Sequence, residues 1–515
     1  MLKRTISNKV FGIFVIFLLI HLILINVNYS EWGDSYRILR ASEHIRGLDY
    51  PEDEKRLPAY SLLLALRPEG VDQVFWGRFE MLFVSLAIFS VFYKLVRNYT
   101  QDPETIQLAM CLLVLNPVLL YWSLRLMADA FFTLLVLITF YLYTKWKPFP
   151  SLKGSFLIGL ILGVAVLTRF EGYILGVAVG IGLMFGPNLK LKDKFILKLR
   201  SIIFVGAGFL TATLPWFLYR NPLSSTYFEE PARRVYDLNT LHIYLVSLLF
   251  IFGFTSAAFF MGRYARELIV QFRQETAFMA FILFELCLAL VWPAAIPRLF
   301  TPIIPFLIIW LAICVSKYFA DAPRAKAQDP VILVGLLVVY LLSQYMLKLQ
   351  FLVLLKPLLL IVLVVQLINI SAVLLKKSRL FIISLLISLA VWSFSTIWLH
   401  KDIFRTVAEA NLYISENLTG KVVYNDVSSV SDWYLNVRNT GDNVTGEYKN
   451  MDDKKGRTYE ELTKTGADYV LITNEHNTSM EFKGDELDYL EEIKEFRYTI
   501  RGKEFFAKIL RVKKI

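Results

Sequence analysis

"FGIFVIFLLIHLILINV", residues 11–27, is followed after a single Asn by "YSEWGDSYRILRASEHIRGLDYPEDEKRLPAY", residues 29–60. The first stretch is apolar all round and, extended back to residue 8, long enough to cross the roughly 30 Å hydrocarbon core of a bilayer as a helix. It exceeds a signal-peptide core, and no small-residue cleavage site follows it, so it reads as a retained first span. The second stretch is dense in Asp, Glu, Arg and Lys. A charged loop pressed against the membrane face right after the first span needs a reason.

The rest of the chain sets the context. Of its 515 residues 56% are hydrophobic, and the mean hydropathy is +0.51. Apolar runs of about 20 residues recur as far as residue 399, the pattern of a polytopic α-helical membrane protein. We expect about thirteen transmembrane spans: 8–27, 74–96, 105–124, 126–146, 154–168, 171–187, 200–219, 240–262, 276–294, 298–318, 330–347, 351–375 and 379–399. The pair at 154–187 can also be read as one broken helix. Cys111, Cys287 and Cys314 all lie inside apolar runs, which argues against a disulfide framework or a zinc site.

The formal charge is +11, yet residues 400–515 hold 18 basic and 21 acidic side chains. The excess of positive charge therefore belongs to the membrane part. Basic cytoplasmic loops explain it better than nucleic-acid binding. With Lys3, Arg4 and Lys9 inside, nearly every other inside loop is rich in Lys or Arg, among them "GRYARELIVQFRQE", "SKYFADAPRAKA" and "KKSR". An odd number of spans then puts the 28–73 loop, the 220–239 loop and residues 400–515 outside, with the N-terminus cytoplasmic.

Two domains are expected: 1–399 in the membrane and 400–515 as a small extracytoplasmic α/β domain. In the second, "KVVYND" and "ADYVLITN" read as strands, "RTYEELTKTG" as a helix closed by Gly466, and "FRYTIRGKEFFAKILRV" as a terminal hairpin. The domain has no phosphate loop and no nucleophile elbow, and the acids of "NMDDKK" read as a solvated loop. The pairs Gly159/Gly163 and Gly176/Gly180 lie within apolar helices and predict close helix packing.

In the opening loop Tyr36, Leu39, Ala41, Ile45 and Leu48 recur at helical spacing, so the segment after Asp34 can lie as an amphipathic helix on the membrane surface. Asp34 at its start is either a helix cap or a chemical group. Arg37 lies one turn on, and Arg56 precedes "LPAYSLLLAL", too short to span. One acid beside two guanidiniums at the interface suits a lipid-linked phosphate. The arginines hold the anion and the carboxylate accepts a proton.

These residues carry a resemblance. "GDSYRILRASEHIRG" followed by "EKRLPAY", together with "YWSLRLMADAFFTLLVLITFYLY", "LTRFEGYIL" and "RLFTPIIPFLIIW", is similar to the C-type (GT-C) glycosyltransferases, in the branch of protein O-mannosyltransferases and lipid A aminoarabinose transferases. The resemblance implies an inverting transfer of a sugar from a polyprenyl-phosphate carrier to a hydroxyl acceptor. It makes Asp34 the general base, and it makes Arg37 and Arg56 the contacts to the departing phosphate. The family's usual second acid is replaced by Ser35, which leaves Glu31 as a rival base. Its common "SE" before the fourth span is matched only by Asp129.

Other charged positions have two readings each. Arg125 and Asp129, four apart, form an ion pair or belong to the site. Arg169 and Glu171 line the cavity or cap two helices. Arg298 contacts the carrier phosphate or snorkels to the interface. Arg233 and Arg234 read as a solvated loop, and His242 as a core or interface residue. No metal ligand set is visible, although a divalent ion is compatible with some relatives, and the cofactor is unknown. The expected partners are a polyprenyl-phosphate-linked sugar, the bilayer and a hydroxyl acceptor, with no nucleic acid. The rival class is a secondary transporter or flippase. It would place its ionisable groups near the bilayer midplane and show two related halves, whereas here the charges cluster at the outer face and no repeat is seen.

Overall fold

The computed structural model describes residues 2–146, 151–185, 195–220, 238–272, 275–292, 296–320, 328–346, 355–438, 443–449, 458–475, 486–500 and 503–513. Arg233, Arg234 and "NMDDKK" lie outside these residues. The chain forms two compact units. The first is Met1–Ile25, Lys55–Tyr60 and Arg78–Thr396, and the second is Asn26–Glu54, Ser61–Gly77 and Ile397–Ile515. Most of the 28–73 loop thus belongs to the same unit as the C-terminal segment.

The first unit is helical. Among the described residues four helices are long and apolar enough to cross a membrane, Gln73–Tyr99, Ala128–Lys145, Phe195–Tyr219 and Ser378–Asn417, and the bent pair Pro103–Val114 and Pro117–Ser123 makes a fifth. Shorter apolar helices, such as Asn8–Leu24 and Ile304–Ala320, occupy the other expected spans. This is an integral membrane protein. The 53° bend in the pair has a local cause. Asn116 accepts from the backbone N–H groups of Val118 and Leu119, both at 3.1 Å. Pro117 then starts a new helix where its missing donor costs nothing.

The 154–187 segment is two helices, Leu152–Thr168 and Glu171–Phe185, folded tightly enough that a Cβ on Gly172 would collide with the backbone of Ala165 and Val166. The small-residue expectation divides. A side chain on Gly159 or Gly163 would strike the Phe195–Tyr219 helix at Val205, Phe209 and Ala212, so both allow the close crossing. Gly176 and Gly180 have nothing within 4 Å of such a Cβ. The packing contact of their helix is Gly182 instead, against Ala277 and Tyr143.

The expected 240–262 span is broken into Leu238–Ile251 and Ala257–Arg263. Gly253 and Phe254 are left-handed, at φ 61° and 53°. The carbonyls released by the break are capped by buried side chains. Ser388 Oγ donates to Gly253 O at 2.7 Å, Gln366 Nε2 to Phe254 O and Tyr340 Oη to Thr255 O. Irregular backbone persists at this depth because neighbouring helices satisfy it.

In the second unit a five-stranded sheet has the order β2-β1-β3-β5-β4. β1 (Gly420–Tyr424) pairs in parallel with β2 (Val444–Tyr448) and β3 (Tyr469–Thr473), while β4 (Leu490–Ile500) and β5 (Lys503–Val512) form an antiparallel hairpin joined to β3. Every residue of β3 is buried, as a parallel strand covered on both faces requires. One face packs Val422, Tyr424, Leu471 and Ile509 on Ala410 and Ile414 of the Arg405–Asn417 helix. The other packs Val423, Val470 and Leu510 on Leu462 of the Thr458–Thr465 helix. That helix ends at Gly466, φ 70°. The expected strands, hairpin and helix are all present. β2 and the Arg405–Asn417 helix are additions.

Candidate functional site

In the first unit Asp129 lies in the first turn of Ala128–Lys145 and is 2% exposed. Arg169 Nη1 donates to its Oδ1 at 2.5 Å, and Arg298 Nε lies 3.7 Å from the same oxygen. Arg169 Nε also donates to Glu171 Oε1 at 2.9 Å. Arg169 is the C-cap of Leu152–Thr168 and Glu171 opens the next helix, so each sits at the helix end its charge favours. The pair caps two helices and also joins a cluster that spans three. The guanidinium of Arg298 lies 5.3 Å from the Trp122 ring. It is thus held by an acid and an aromatic face.

Asp129 takes its ionic partners from 40 residues and more away in sequence. Arg125, proposed as its partner from the four-residue spacing, is fully buried with its guanidinium 5.4 Å over the Tyr121 ring. A third acid joins the cluster. Glu285, on Thr276–Val291, is 2% exposed and interacts electrostatically with Glu171 and Arg169. Sequence reading passed over it, although a lone acid in "FMAFILFELCLALV" is a signal, since intramembrane carboxylates are seldom incidental. Asp129 Oδ2 and Glu285 Oε2 are buried and accept no hydrogen bond among the described residues. Buried acceptors are normally satisfied, so a ligand or water with donors fits here.

A small, mainly apolar cleft lies in the same unit. Its lining includes Phe17, Ile88, Leu119 and Leu120, with Ala130 and Thr301, close in sequence to Asp129 and Arg298. No group of three or more His, Cys, Asp or Glu suited to a metal ion occurs among the described residues.

In the second unit the helix Gly33–Arg46 carries Asp34 in its first turn. The N-cap is Trp32, and no side chain caps the helix. Asp34 is therefore not the cap; its negative charge suits the N-terminal turn. It is half-buried, whereas Glu31 is fully buried. Tyr36, Ile38, Leu39 and Ala41 form the buried face. Leu48, expected on that stripe, is 95% exposed and left-handed (φ 63°) beyond the helix end. Arg37 is half-buried and acts on Asp53 through its charge. Arg56 belongs to the first unit, half-buried just before buried Leu57 and Pro58. "LPAYSLLLAL" yields a six-residue helix, Ala59–Leu64.

The residue that organises this face is Arg40. It grips both oxygens of Asp53, at 2.7 and 2.6 Å, and reaches Asp432 at 3.3 Å. Burial pushes the Asp53 carboxyl up, but the Arg40 hydrogen bonds and charge outweigh it and hold the group below its ordinary range. Tyr36 Oη lies 2.8 Å from Ser30 Oγ and 3.4 Å from Tyr434 Oη, and it accepts from the Glu31 N–H at 3.2 Å. Burial pushes both phenols above their usual range. Gly33 is needed at the contact with the 428–438 segment, since a Cβ there would lie 2.5 Å from Ser429 Oγ. Arg40, Asp432 and Tyr434 escaped the sequence reading because their pairing spans almost 400 residues.

The model of the family described as dolichyl-phosphate-mannose-protein mannosyltransferase matches residues 60–219. That stretch holds Asp129, Arg169 and Glu171 but neither Asp34 nor Arg298. A search of curated proteins finds no match. Among solved structures, ArnT from Cupriavidus metallidurans in the apo state superposes with a TM-score of 0.60 at 13% identity, covering 97% of this chain and 98% of that one. The same protein bound to undecaprenyl phosphate gives 0.59 at 13% identity, covering 96% and 97%. An Archaeoglobus fulgidus oligosaccharyltransferase tethered with an acceptor peptide gives 0.52 at 12% identity, covering 90% of this chain and 68% of that one.

The chain has the GT-C fold. The likeness of fold extends over nearly the whole length, beyond the membrane part where the motifs lie. With this fold, the described residues place a charged cluster around Asp129 at membrane helix ends and another around Arg40 on the loop helix of the second unit.

Proposed function

We propose that the chain is an integral-membrane, inverting glycosyltransferase that moves a sugar from a polyprenyl-phosphate carrier to a hydroxyl acceptor on the extracytoplasmic face. The observation that carries this reading is the cluster of Asp129, Arg169, Glu171, Glu285 and Arg298 at membrane helix ends. Guanidiniums suit a phosphate, and the two open carboxylate oxygens suit sugar hydroxyls. The fold shared with ArnT, solved with undecaprenyl phosphate, agrees with this.

In the proposed reaction the acceptor oxygen attacks the anomeric carbon as the bond to the phosphate oxygen breaks. Asp34 takes the hydroxyl proton, and the electron pair leaves with the polyprenyl phosphate. Asp34 is favoured over Glu31 because a base must be reached by the acceptor, and Glu31 is fully buried. Arg37, Arg56, Arg169 and Arg298 are the proposed stabilisers of the departing phosphate. The N-terminus is cytoplasmic and residues 400–515 extracytoplasmic in this reading, following the basic loops.

Purified protein in nanodiscs, given polyprenyl-phosphate sugars and candidate acceptors, tests the reading. Wild type should transfer sugar, and Asp34→Asn should lose about a hundredfold or more of turnover with an unchanged thermal midpoint. A folded Asp34→Asn protein with full turnover removes Asp34 from the mechanism. Absence of transfer from every polyprenyl donor, with counterflow of a solute in proteoliposomes, replaces the enzyme with a transporter.

A further inference from the structure

A second polar site lies at other helix ends of the first unit. Arg263, closing Ala257–Arg263, is ion-paired with Asp329, which is 1% exposed in the first turn of Gln328–Met346. Arg263 and Lys376 both approach the Tyr318 ring, at 5.5 and 4.1 Å from its centroid. Arg263 ion-pairs with Asp329, whose charge also acts on Lys376, so two cations share one carboxylate and positive charge is in excess. Lys376 Nζ is buried, and neither it nor buried Tyr318 Oη has a hydrogen-bond partner among the described residues. Two donors idle in one desolvated place are costly unless something fills them.

Lys376 has a left-handed backbone, φ 54°, in the three-residue turn between Leu355–Leu374 and Ser378–His400. The turn sets Lys377 and Arg379 beside it, both exposed, and no carboxylate among the described residues pairs with either. The surroundings are those of a lipid-facing surface. Leu375 is 64% exposed and Val331 72%, each next to or near a member of the cluster.

We propose that this turn binds the phosphodiester head group of an anionic phospholipid. Lys377 and Arg379 collect the phosphate at the membrane surface. Lys376 swings off the Tyr318 face to donate to it, and Tyr318 Oη gains an acceptor. The acyl chains lie along Leu375 and Val331, where a free phosphate would find only an apolar wall. Arg263 and Asp329 hold Tyr318 in place between the helices. This site is independent of the glycosyl-transfer reading, and basic pockets between membrane helices are the kind that bind acidic lipid heads.

The test is the thermal midpoint of the detergent-solubilised protein titrated with short-chain phosphatidylglycerol, phosphatidylcholine or inorganic phosphate. Phosphatidylglycerol should raise the midpoint saturably, and the other two should not at equal concentration. Lys377→Gln/Arg379→Gln, on exposed positions that leave the fold intact, should weaken the apparent affinity about 30-fold. Lys376→Gln should weaken it further. Equal stabilisation by phosphatidylcholine, an equal effect of inorganic phosphate, or an unaltered double variant each overturns the proposal.

Discussion

The two charged clusters solve the same problem in opposite ways. Around Asp129 the acid is 2% exposed, and its guanidinium partners come from segments far apart in sequence. Around Arg40 the acids are wetter, with side-chain exposures of 69% for Asp53 and 28% for Asp432, while the arginines of the two clusters are alike at 18% for Arg40 and Arg169 and 19% for Arg298. In the first, desolvation makes every charge depend on its neighbour. In the second, water screens each loss. A mutation that looks alike on paper should therefore cost very different amounts in the two places.

The largest contrast should come from Asp129→Asn. It leaves Arg169 and Arg298 without their shared carboxylate, and breaking a buried pair costs about 3–5 kcal/mol. Thermal unfolding in nanodiscs should register this as a large drop in midpoint, and a drop no greater than that of a surface variant would erase the contrast.

Next in size is a pH effect confined to the second unit. Burial pushes the Glu475 carboxyl up to about 7, against the Thr406 hydroxyl that donates to it at 2.7 Å. The folded state thus holds its proton more tightly than the unfolded chain, whose glutamates titrate near 4.3. Stability falls as pH rises from the unfolded value to about 7 and is level above it, with a total on the order of 3 kcal/mol. Glu475→Gln should flatten this slope; an unchanged slope between pH 5 and 7 would count against the burial argument.

Overpacking comes third. Gly163→Val forces a branched side chain into the backbone of the Phe195–Tyr219 helix and should cost about 1–3 kcal/mol. The matching Gly176→Val, where nothing lies within 4 Å, should be near neutral, so the pair sharpens the comparison in a single experiment.

The smallest effect belongs to Arg40. In a double-mutant cycle of Arg40→Ala and Asp432→Asn, the half-exposed pair should couple by about 0.2–1 kcal/mol. A coupling as large as that lost with Asp129 would show that the second cluster is as desolvated as the first.

The sequence made the helices legible because a bilayer leaves so few alternatives. The broken helix at 252–256 was not legible as a break, though Gly253 stood at its centre and Gln366 and Ser388 waited in apolar runs to satisfy it. Local spacing also misassigned Asp129 to Arg125, because helical neighbours compete with partners that only tertiary packing supplies. Arg169, Glu171 and Arg298 do gather, around an acid that the motif comparison had already marked. Asp34 could be placed at a helix start from sequence, but whether it served as the cap depended on Trp32, which offers no side-chain oxygen.

One feature of the sheet bears on how the protein lives among others. β4 is an edge strand, and it carries Glu491, Glu492, Lys494, Glu495 and Arg497, with a register shift between Glu492 and Lys494. Confinement to a membrane plane crowds copies together, so a smooth, uncharged border would invite strand-by-strand polymerisation. Alternating charge and a kink refuse that template along this border.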